Sequence, residues 1–310
     1  MKKYLILFFV LSAISIFAQS NKFIIDADTG NEMDDLYAVV RALENEKIDV
    51  LGLTSAHFLN VQLLTTKKWN TYPTENINTV KISQELNEEI LKYLGKENIP
   101  HPLGCEAIVG YSWGYYEGAP IPKSPAVDFI IEQAKQFTEN NKLNIVCLGA
   151  VTNVSAAILL EPSIAKNIRL YILSMDLTEK GIWNKNTFNS KNDINALDLL
   201  LDNIDLDLYI IPGNVSGTLV FNREKSLKIL NQNKTDLNIL LAKRWDEVFA
   251  GDTWVMWDLA LIEVIINPDL ASVTIMKTPP ENTERNVSVY TEINAAQIEK
   301  NFWKCLSNLK

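Results

Sequence analysis

The chain has 310 residues, 47% hydrophobic and 22% charged, enough apolar material for one large core and too much for a disordered protein. Its 29 Lys and Arg against 38 Asp and Glu give a formal charge of -9, which argues against a phosphate-backbone partner, so no nucleic acid is expected. With 2 His in the whole chain, a His-rich zinc site and a Ser-His-Asp relay both lack their material.

The first twenty residues, MKKYLILFFVLSAISIFAQS, carry Lys2 and Lys3, an apolar core over residues 4–17 and the small Ala18. That order is a secretory signal peptide, residues 1–18, with cleavage expected after Ala18; the apolar run is short for a membrane span. Residues 19–310 read as a single domain, periplasmic or secreted, with no membrane attachment once the leader is removed. Export permits disulfides, but Cys105, Cys147 and Cys305 are odd in number and lack metal-type spacing. Cys147 lies in the apolar run NIVCLGA and reads as a small core residue. A Cys105–Cys305 bond stays open, as does oligomeric state, a homo-oligomer being compatible with the sequence.

Residues 23–25 form an apolar run that predicts a buried strand, and Thr29, Gly30 and Asn31 turn the chain after it. A helix starts near Asp34, with Leu36, Val39, Val40 and Leu43 on one face. Residues 48–55 predict a second strand whose end carries Ala56, His57, Phe58 and Asn60. Residues 61–98 predict two helical pieces broken around residues 72–74. The stretch 101–125 is rich in Gly and Pro and holds Tyr111, Trp113, Tyr115 and Tyr116. It reads equally as an aromatic flap over a flat ligand and as a surface loop packed by its own side chains. Ser124 is placed to cap a helix reaching Phe137, with Pro125 at its first position. Strands follow at 144–150, 170–175, 208–212 and 270–276, and helices at 151–161, 193–201, 224–230, 237–249 and 254–266. This alternation implies an α/β fold: an open, mostly parallel, doubly wound (Rossmann-like) sheet flanked by helices, with ligands expected outside the carboxyl ends of its strands.

Residues 26–35, DADTGNEMDD, put Asp26, Asp28, Glu32, Asp34 and Asp35 into one strand-to-helix turn. Carboxylates so close repel one another unless a positive charge sits among them, and a hard cation is the simplest candidate. Asp34 and Asp35 fall in the first helical turn, where the macrodipole favours negative charge. An EF-hand loop would need Gly at its sixth position, which counted from Asp26 is Asn31. A haloacid dehalogenase-type phosphatase also opens with Asp-x-Asp after a strand. Gly30 stands where that motif has Thr or Val, however, and the Asp34-Asp35 pair has no part in it.

Asp-x-Asp after a strand, a Gly-containing turn and Asp-Asp opening a helix resembles the inosine-uridine-preferring nucleoside hydrolase family. Three further segments resemble it in the right order: LGAVTN at 148–153 with LEP at 160–162, FNSKND at 188–193, and WDLALIEVIINP at 257–268. The resemblance implies a nucleoside-hydrolase fold and a Ca2+ site built from Asp28, Asp35, the Leu148 carbonyl and Asp258. It also implies Asp28 as catalytic base, Asp34 and Asn189 on ribose hydroxyls, and Asp26 as support from behind. Glu32 receives no role and is expected to face solvent. The activity implied is hydrolysis of the N-glycosidic bond of a nucleoside or riboside to ribose and base.

Several positions depart from the family pattern. The turn at 29–33 is longer than the common form, and Ala260 follows Asp258 by two places rather than three. Thr187 stands where many members have a Glu that contacts the sugar 5′-hydroxyl. Trp257 stands where many have a His that protonates the departing base. Trp257 reads equally as a surface that stacks on that base, with Trp254, Trp183 or the 111–116 loop as further stacking surfaces, and as a core residue. His57 and Asn60, at the second strand end, are the remaining substrate-side candidates, His57 either as a substitute acid or, as a lone His more often is, as a satisfied structural residue. A protein that binds ribose or nucleoside through the metal with little or no catalysis is the alternative reading.

Overall fold

The computed structural model describes residues 21–59, 77–248 and 250–309. The leader, Asn60 and the first helical piece expected after it lie outside the described residues.

Among the described residues, seven strands form the central sheet: β1 Lys22–Ala27, β2 Asp49–Ser55, β3 Leu143–Cys147, β4 Ile168–Leu173, β5 Asp207–Ile211, β6 Ala271–Lys277 and β7 Asn286–Ile293. Their order is β6-β7-β5-β4-β3-β1-β2, parallel throughout except for β6, which runs antiparallel to β7 at one edge. The expected parallel, doubly wound sheet is therefore present. The strand expected to close the chain, 270–276, is instead the first arm of a hairpin, and its second arm, β7, inserts beside β5. The helix expected at 254–266 begins only at Trp257, because Thr253–Val255 pairs with Val220–Asn222 as a short hairpin ladder.

The helices are α1 Asp34–Leu43, α2 Thr79–Tyr93, α3 Pro125–Ala134, α4 Thr152–Leu160, α5 Phe188–Asn192, α6 Ile194–Asp202, α7 Gly213–Ser216, α8 Arg223–Leu230, α9 Asp236–Glu247, α10 Trp257–Ile266 and α11 Ala295–Ser307. Side chains of β1 alternate between two core layers, as a strand covered on both faces requires. Ile25 and Ala27 join Leu36, Leu259 and Phe302 from α1, α10 and α11, whereas Ile24 joins Val127, Val154 and Leu200 from α3, α4 and α6. Ser124 accepts a hydrogen bond from the Val127 backbone N–H at 3.2 Å and so caps α3 as expected.

Two features position the acidic turn. The chain steps from β1 out to β2 and then crosses back to β3 on the other side of β1, so the switch in strand order lies between β1 and β3. Helices α1 and α10 are fastened at both ends. Arg41 of α1 forms a buried ion pair with Glu263 of α10, and Asp34 Oδ2 accepts the Asp258 backbone N–H at 3.1 Å. Both helix N-termini therefore converge on one point beside the carboxyl end of β1.

Residues 101–124 run as an irregular loop in which Tyr111, Trp113 and Tyr116 stack on one another, with ring centroids 5.0 to 5.9 Å apart. Trp113 is 72% exposed. Of the two readings of this segment, the surface loop packed by its own side chains describes it. Cys105, Cys147 and Cys305 are all free thiols, so no Cys105–Cys305 bond forms. Among the described residues no helix is long and apolar enough to cross a membrane.

Candidate active site

A cavity of about 370 Å³ opens at the carboxyl ends of β1 and β4, lined among others by Asp28, Asp34, Asp35, Asn189, Trp257 and Asp258. These sequence candidates are brought together from three separated segments. The acidic turn is tied down by one main-chain bond, Asn31 N–H donating to Asp28 O at 2.8 Å, and by the Thr29 side-chain hydroxyl, which contacts Ser83 O and Asn87 Oδ1 of α2, each at 2.9 Å. From the other side Arg244 of α9 donates to Glu32 O at 3.1 Å. Glu32 is only 9% exposed and lines the cavity, contrary to the expectation that it faces solvent, because Arg244 draws the turn inward.

Carboxylate oxygens of Asp34, Asp35 and Asp258 lie within 4.8 Å of one another, and all three residues are buried. At an effective dielectric of about 20, unit charges at that spacing repel by roughly 3 to 4 kcal/mol per pair. Two helix N-termini offset only part of this, at roughly 1 kcal/mol each. Among the described residues, four buried carboxylate oxygens, Asp28 Oδ2, Asp34 Oδ1, Asp35 Oδ1 and Asp258 Oδ1, have no hydrogen-bond partner. An anionic cluster with orphaned oxygens fits a hard divalent cation, whose ligands are carboxylates and carbonyls. Without one, protons must serve instead. Burial pushes Asp28 up to about 8, with Glu32 and Asp34 adding repulsion. Burial and then the neighbouring carboxylates hold Asp35 and Asp258 well above the usual range, and burial raises Asp34.

Asn189 completes this side of the cavity, whereas Leu148 is fully buried and is not among the lining residues. Asn189 Nδ2 donates to Leu148 O at 2.5 Å and to Leu173 O at 3.2 Å, bridging the ends of β3 and β4. The Leu148 carbonyl thus stands at the strand end with one side engaged by Asn189. Gly149 follows it, and sequence reasoning gave that glycine no role. A Cβ there would come within 3.0 Å of every atom of the Asp28 carboxylate, so only Gly lets Asp28 lie against the β3 turn. Its place in LGAVTN marks a turn, and the reason for Gly is visible only once Asp28 is seen beside it.

Asp26 points away from the cavity into the core on the α3–α4 side of the sheet. It accepts from the Thr54 hydroxyl at 2.5 Å and from Asn153 Nδ2 at 2.8 Å, and burial raises it to about 6. Asn153 also donates to Ser55 O at 3.0 Å, so Asp26 ties together the ends of β1, β2 and the start of α4.

His57 does not line the cavity. It is 1% exposed, and its Nε2 meets Thr152 Oγ1 at 2.7 Å, while the Thr152 hydroxyl donates to Asp193 Oδ2 at 2.7 Å. Asp193 also accepts Val109 N–H at 2.9 Å and caps α6 through Ala196 N–H at 3.0 Å. Burial lowers His57 to about 4, so it stays neutral at physiological pH. Of the stacking surfaces expected beside Trp257, Trp183 instead donates to Lys277 O at 2.8 Å, and neither it, Trp254 nor the 111–116 stack lines the cavity.

The far wall was not legible in the sequence. Met175 has φ 59, a left-handed conformation that a large side chain rarely adopts. Its N–H is held by Thr187 Oγ1 at 3.2 Å and Ser190 Oγ at 3.1 Å, and its carbonyl by Gly213 N–H at 2.8 Å. The Thr187 hydroxyl therefore supports this bend. Asp176 follows, with its carboxylate against Gly213, and lines the cavity with Asn186 and Asn214.

An acid-lined cavity at the switch point of a doubly wound sheet defines the class: an α/β protein with a hard-cation site at its strand ends. The chain belongs to the inosine-uridine preferring nucleoside hydrolase family, whose model matches residues 23–300. It is 30% identical over 154 residues to the probable uridine nucleosidase 2 of Arabidopsis thaliana, a match covering 49% of this chain and 46% of that protein, so it spans about half the length of this curated relative. Among solved structures, a plant nucleoside hydrolase superposes with a TM-score of 0.67 at 18% identity over 93% of this chain and 99% of its own. A purine-preferring ribonucleoside hydrolase from Gardnerella vaginalis gives 0.66 at 17% identity over 92% and 98%. At such identities these likenesses speak for the fold.

Proposed function

We propose that this chain is an exported, calcium-dependent hydrolase that cleaves the N-glycosidic bond of a ribonucleoside or related riboside to ribose and base. The observation that carries this reading is the set of four orphaned carboxylate oxygens, on Asp28, Asp34, Asp35 and Asp258, beside a cavity able to hold a small riboside. Asp28, Asp35, Asp258 and the Leu148 carbonyl would hold Ca2+. When bound, the ion supplies charge for the acid cluster, a seat for vicinal hydroxyls and a more acidic water.

The chain's own groups do the rest. Asp28 Oδ2 takes the proton of the attacking water, and the dense negative field stabilises the positive charge that develops on the ribosyl carbon. Asp34 and Asn189 orient the sugar, and Asp26 keeps the β1 end fixed from behind. Trp257 and Phe188 provide the apolar wall for the leaving group. The exported state rests on the composition of residues 1–18, and N-terminal sequencing of the mature protein checks it, with Gln19 as the expected first residue.

Because His57 is sequestered, a nucleoside-binding protein without turnover is the competing reading. Calorimetry of ribose and nucleoside binding, run beside a hydrolysis assay on wild type and Asp28→Ala, separates the two. The enzyme reading requires turnover that Asp28→Ala abolishes; binding without turnover in wild type refutes it.

A further inference from the structure

The two edges of the central sheet are finished differently. Along β2 the outer side is covered by the segment after α2, where Leu53 N–H donates to Pro100 O at 2.9 Å. Along β6 the outer side is open. Thr278 N–H donates to Arg285 O at 3.1 Å, so by the alternation of an antiparallel ladder residues 276 and 274 turn their backbone groups towards β7, and Val273 and Ile275 turn theirs away. Among the described residues nothing bonds these outward N–H and C=O groups. Only at the end of the strand does a side chain close the edge, where the Trp183 indole donates to Lys277 O at 2.8 Å.

The side chains of this edge suit strand pairing as well. Val273 and Ile275 lie on one face, two residues apart, and are 46% and 61% exposed. From Ala271 to Met276 the strand carries neither charge nor Pro, the usual devices that keep an edge from pairing. A charge of each sign stands at its ends, Asp269 before it and Lys277 at its close, both exposed. Lys277 has a surface pair with Glu284 at 3.3 Å, a contact of little worth in water.

We propose that β6 is an interface between two copies of this chain, which pair antiparallel about a two-fold axis at Thr274 and join their sheets edge to edge. In this register Val273 of each copy lies opposite Ile275 of the other, exchanges both backbone hydrogen bonds with it and packs beside its side chain, a β-branched pair of the kind that stabilises sheets. Each Lys277 falls diagonally across from the partner's Asp269, within reach of a long side chain. A parallel pairing would instead set like charge beside like. The edge is thus its own complement in hydrogen bonding, in side chains and in end charges, which is what an isologous contact requires. Because the β2 edge is covered at Leu53, the pairing closes at two chains and does not run on as a fibre. The paired edge is short, about 24 Å for seven residues, so it falls below the roughly 800 Å² per partner of a standard interface and the dimer is in concentration-dependent equilibrium with the monomer.

The test is sedimentation velocity of the full chain from about 1 to 100 μM, where the expected result is a shift from the mass of one chain towards that of two. Ile275→Lys changes a side chain already 61% exposed, so it is expected to fold as wild type does and to raise the dimer dissociation constant at least about tenfold. Asp269→Lys and Lys277→Asp are each expected to raise it about threefold and, combined, to restore it, since the two charges then meet again across the axis. Thr274→Cys places two thiols at the axis on a pair without mutual backbone bonds, with Cα atoms about 4.5 Å apart, and mild oxidation is expected to link the dimer there while wild type under the same oxidation stays unlinked. A monomer at every concentration would overturn the proposal and leave the edge to a strand from another protein. A dimer that Ile275→Lys leaves intact, or one in which Thr274→Cys fails to link, would overturn it too.

Discussion

Gly149 gives the sharpest perturbation of the site, because it has a purely steric tie to Asp28. A methyl group placed on Gly149 would lie within 3.0 Å of all three carboxylate atoms of Asp28, the farthest at 2.8 Å, whereas ordinary contact begins near 3.4 Å. The whole carboxylate must therefore retreat by roughly 1 Å, and a displacement of that size at a reacting group costs about 10²-fold in rate. The Gly149 backbone does not occupy the left-handed region, so alanine adds no conformational strain of its own. Gly149→Ala is expected to fold, to lose about 10²-fold in kcat for riboside hydrolysis and to bind calcium more weakly. The assay is release of reducing sugar at saturating substrate, beside thermal melting with and without calcium. Turnover within about twofold of wild type, with unchanged stabilisation by calcium, would refute the placement of Asp28 against the β3 turn.

Other consequences are independent of Gly149. In chelator, melting temperature should rise as pH falls from 8 to 6. Asp28 at about 8 and Asp26 at about 6 both lie above the ordinary 3.8, so the folded state binds protons more tightly than the unfolded one. The stability these two protonations contribute is full below about pH 4 and is lost as pH rises through the two folded values; scanning calorimetry across pH reads it. Calcium should reverse the trend by favouring the ionised acids. Asp258→Asn removes one acid from the buried cluster, and is expected to raise the melting temperature in chelator by a few degrees, for roughly 1 kcal/mol, while abolishing the calcium-induced shift. His57→Ala should lower stability by about 1–3 kcal/mol in a denaturant titration, because Thr152 and Leu59 N–H lose their partner. It should leave the shape of the pH–rate profile between 6 and 9 unchanged, since His57 titrates near 4. Arg41→Met leaves Glu263 buried without its partner and is expected to cost about 3–5 kcal/mol by the same titration.

What the sequence disclosed and what it hid divide along range of interaction. The β1 strand, the acidic turn and the start of α1 are local: an apolar run, turn residues and first-turn acids each leave a signature within ten residues. The sheet class followed from the alternation of strands and helices. The insertion of β7 between β5 and β6 left no local mark, because a strand's neighbours are chosen by pairing across long chain separations. Residues 254–256 were drawn into the helix after them, since only the pairing with 220–222 makes a strand there.

The same division holds in the cavity. Asp28, Asp35 and Asp258 were legible through their motifs, whereas Glu32 turned inward because of Arg244, 212 residues away. Met175 and Asp176 line the far wall through a left-handed bend that no residue preference announces. His57 looked available at a strand end, and the Thr152–Asp193 chain that sequesters it is assembled from two other segments.

The central claim is metal-assisted cleavage of a ribosyl–nitrogen bond, and its most direct measurement is chromatographic detection of free base and ribose. The full mature chain would be incubated with a panel of ribosides in calcium, and again after chelation. The expected result is base and ribose in equal amounts from at least one riboside, lost on chelation and restored by calcium. Release that is indifferent to chelation, or no release from any riboside with calcium supplied, would contradict it.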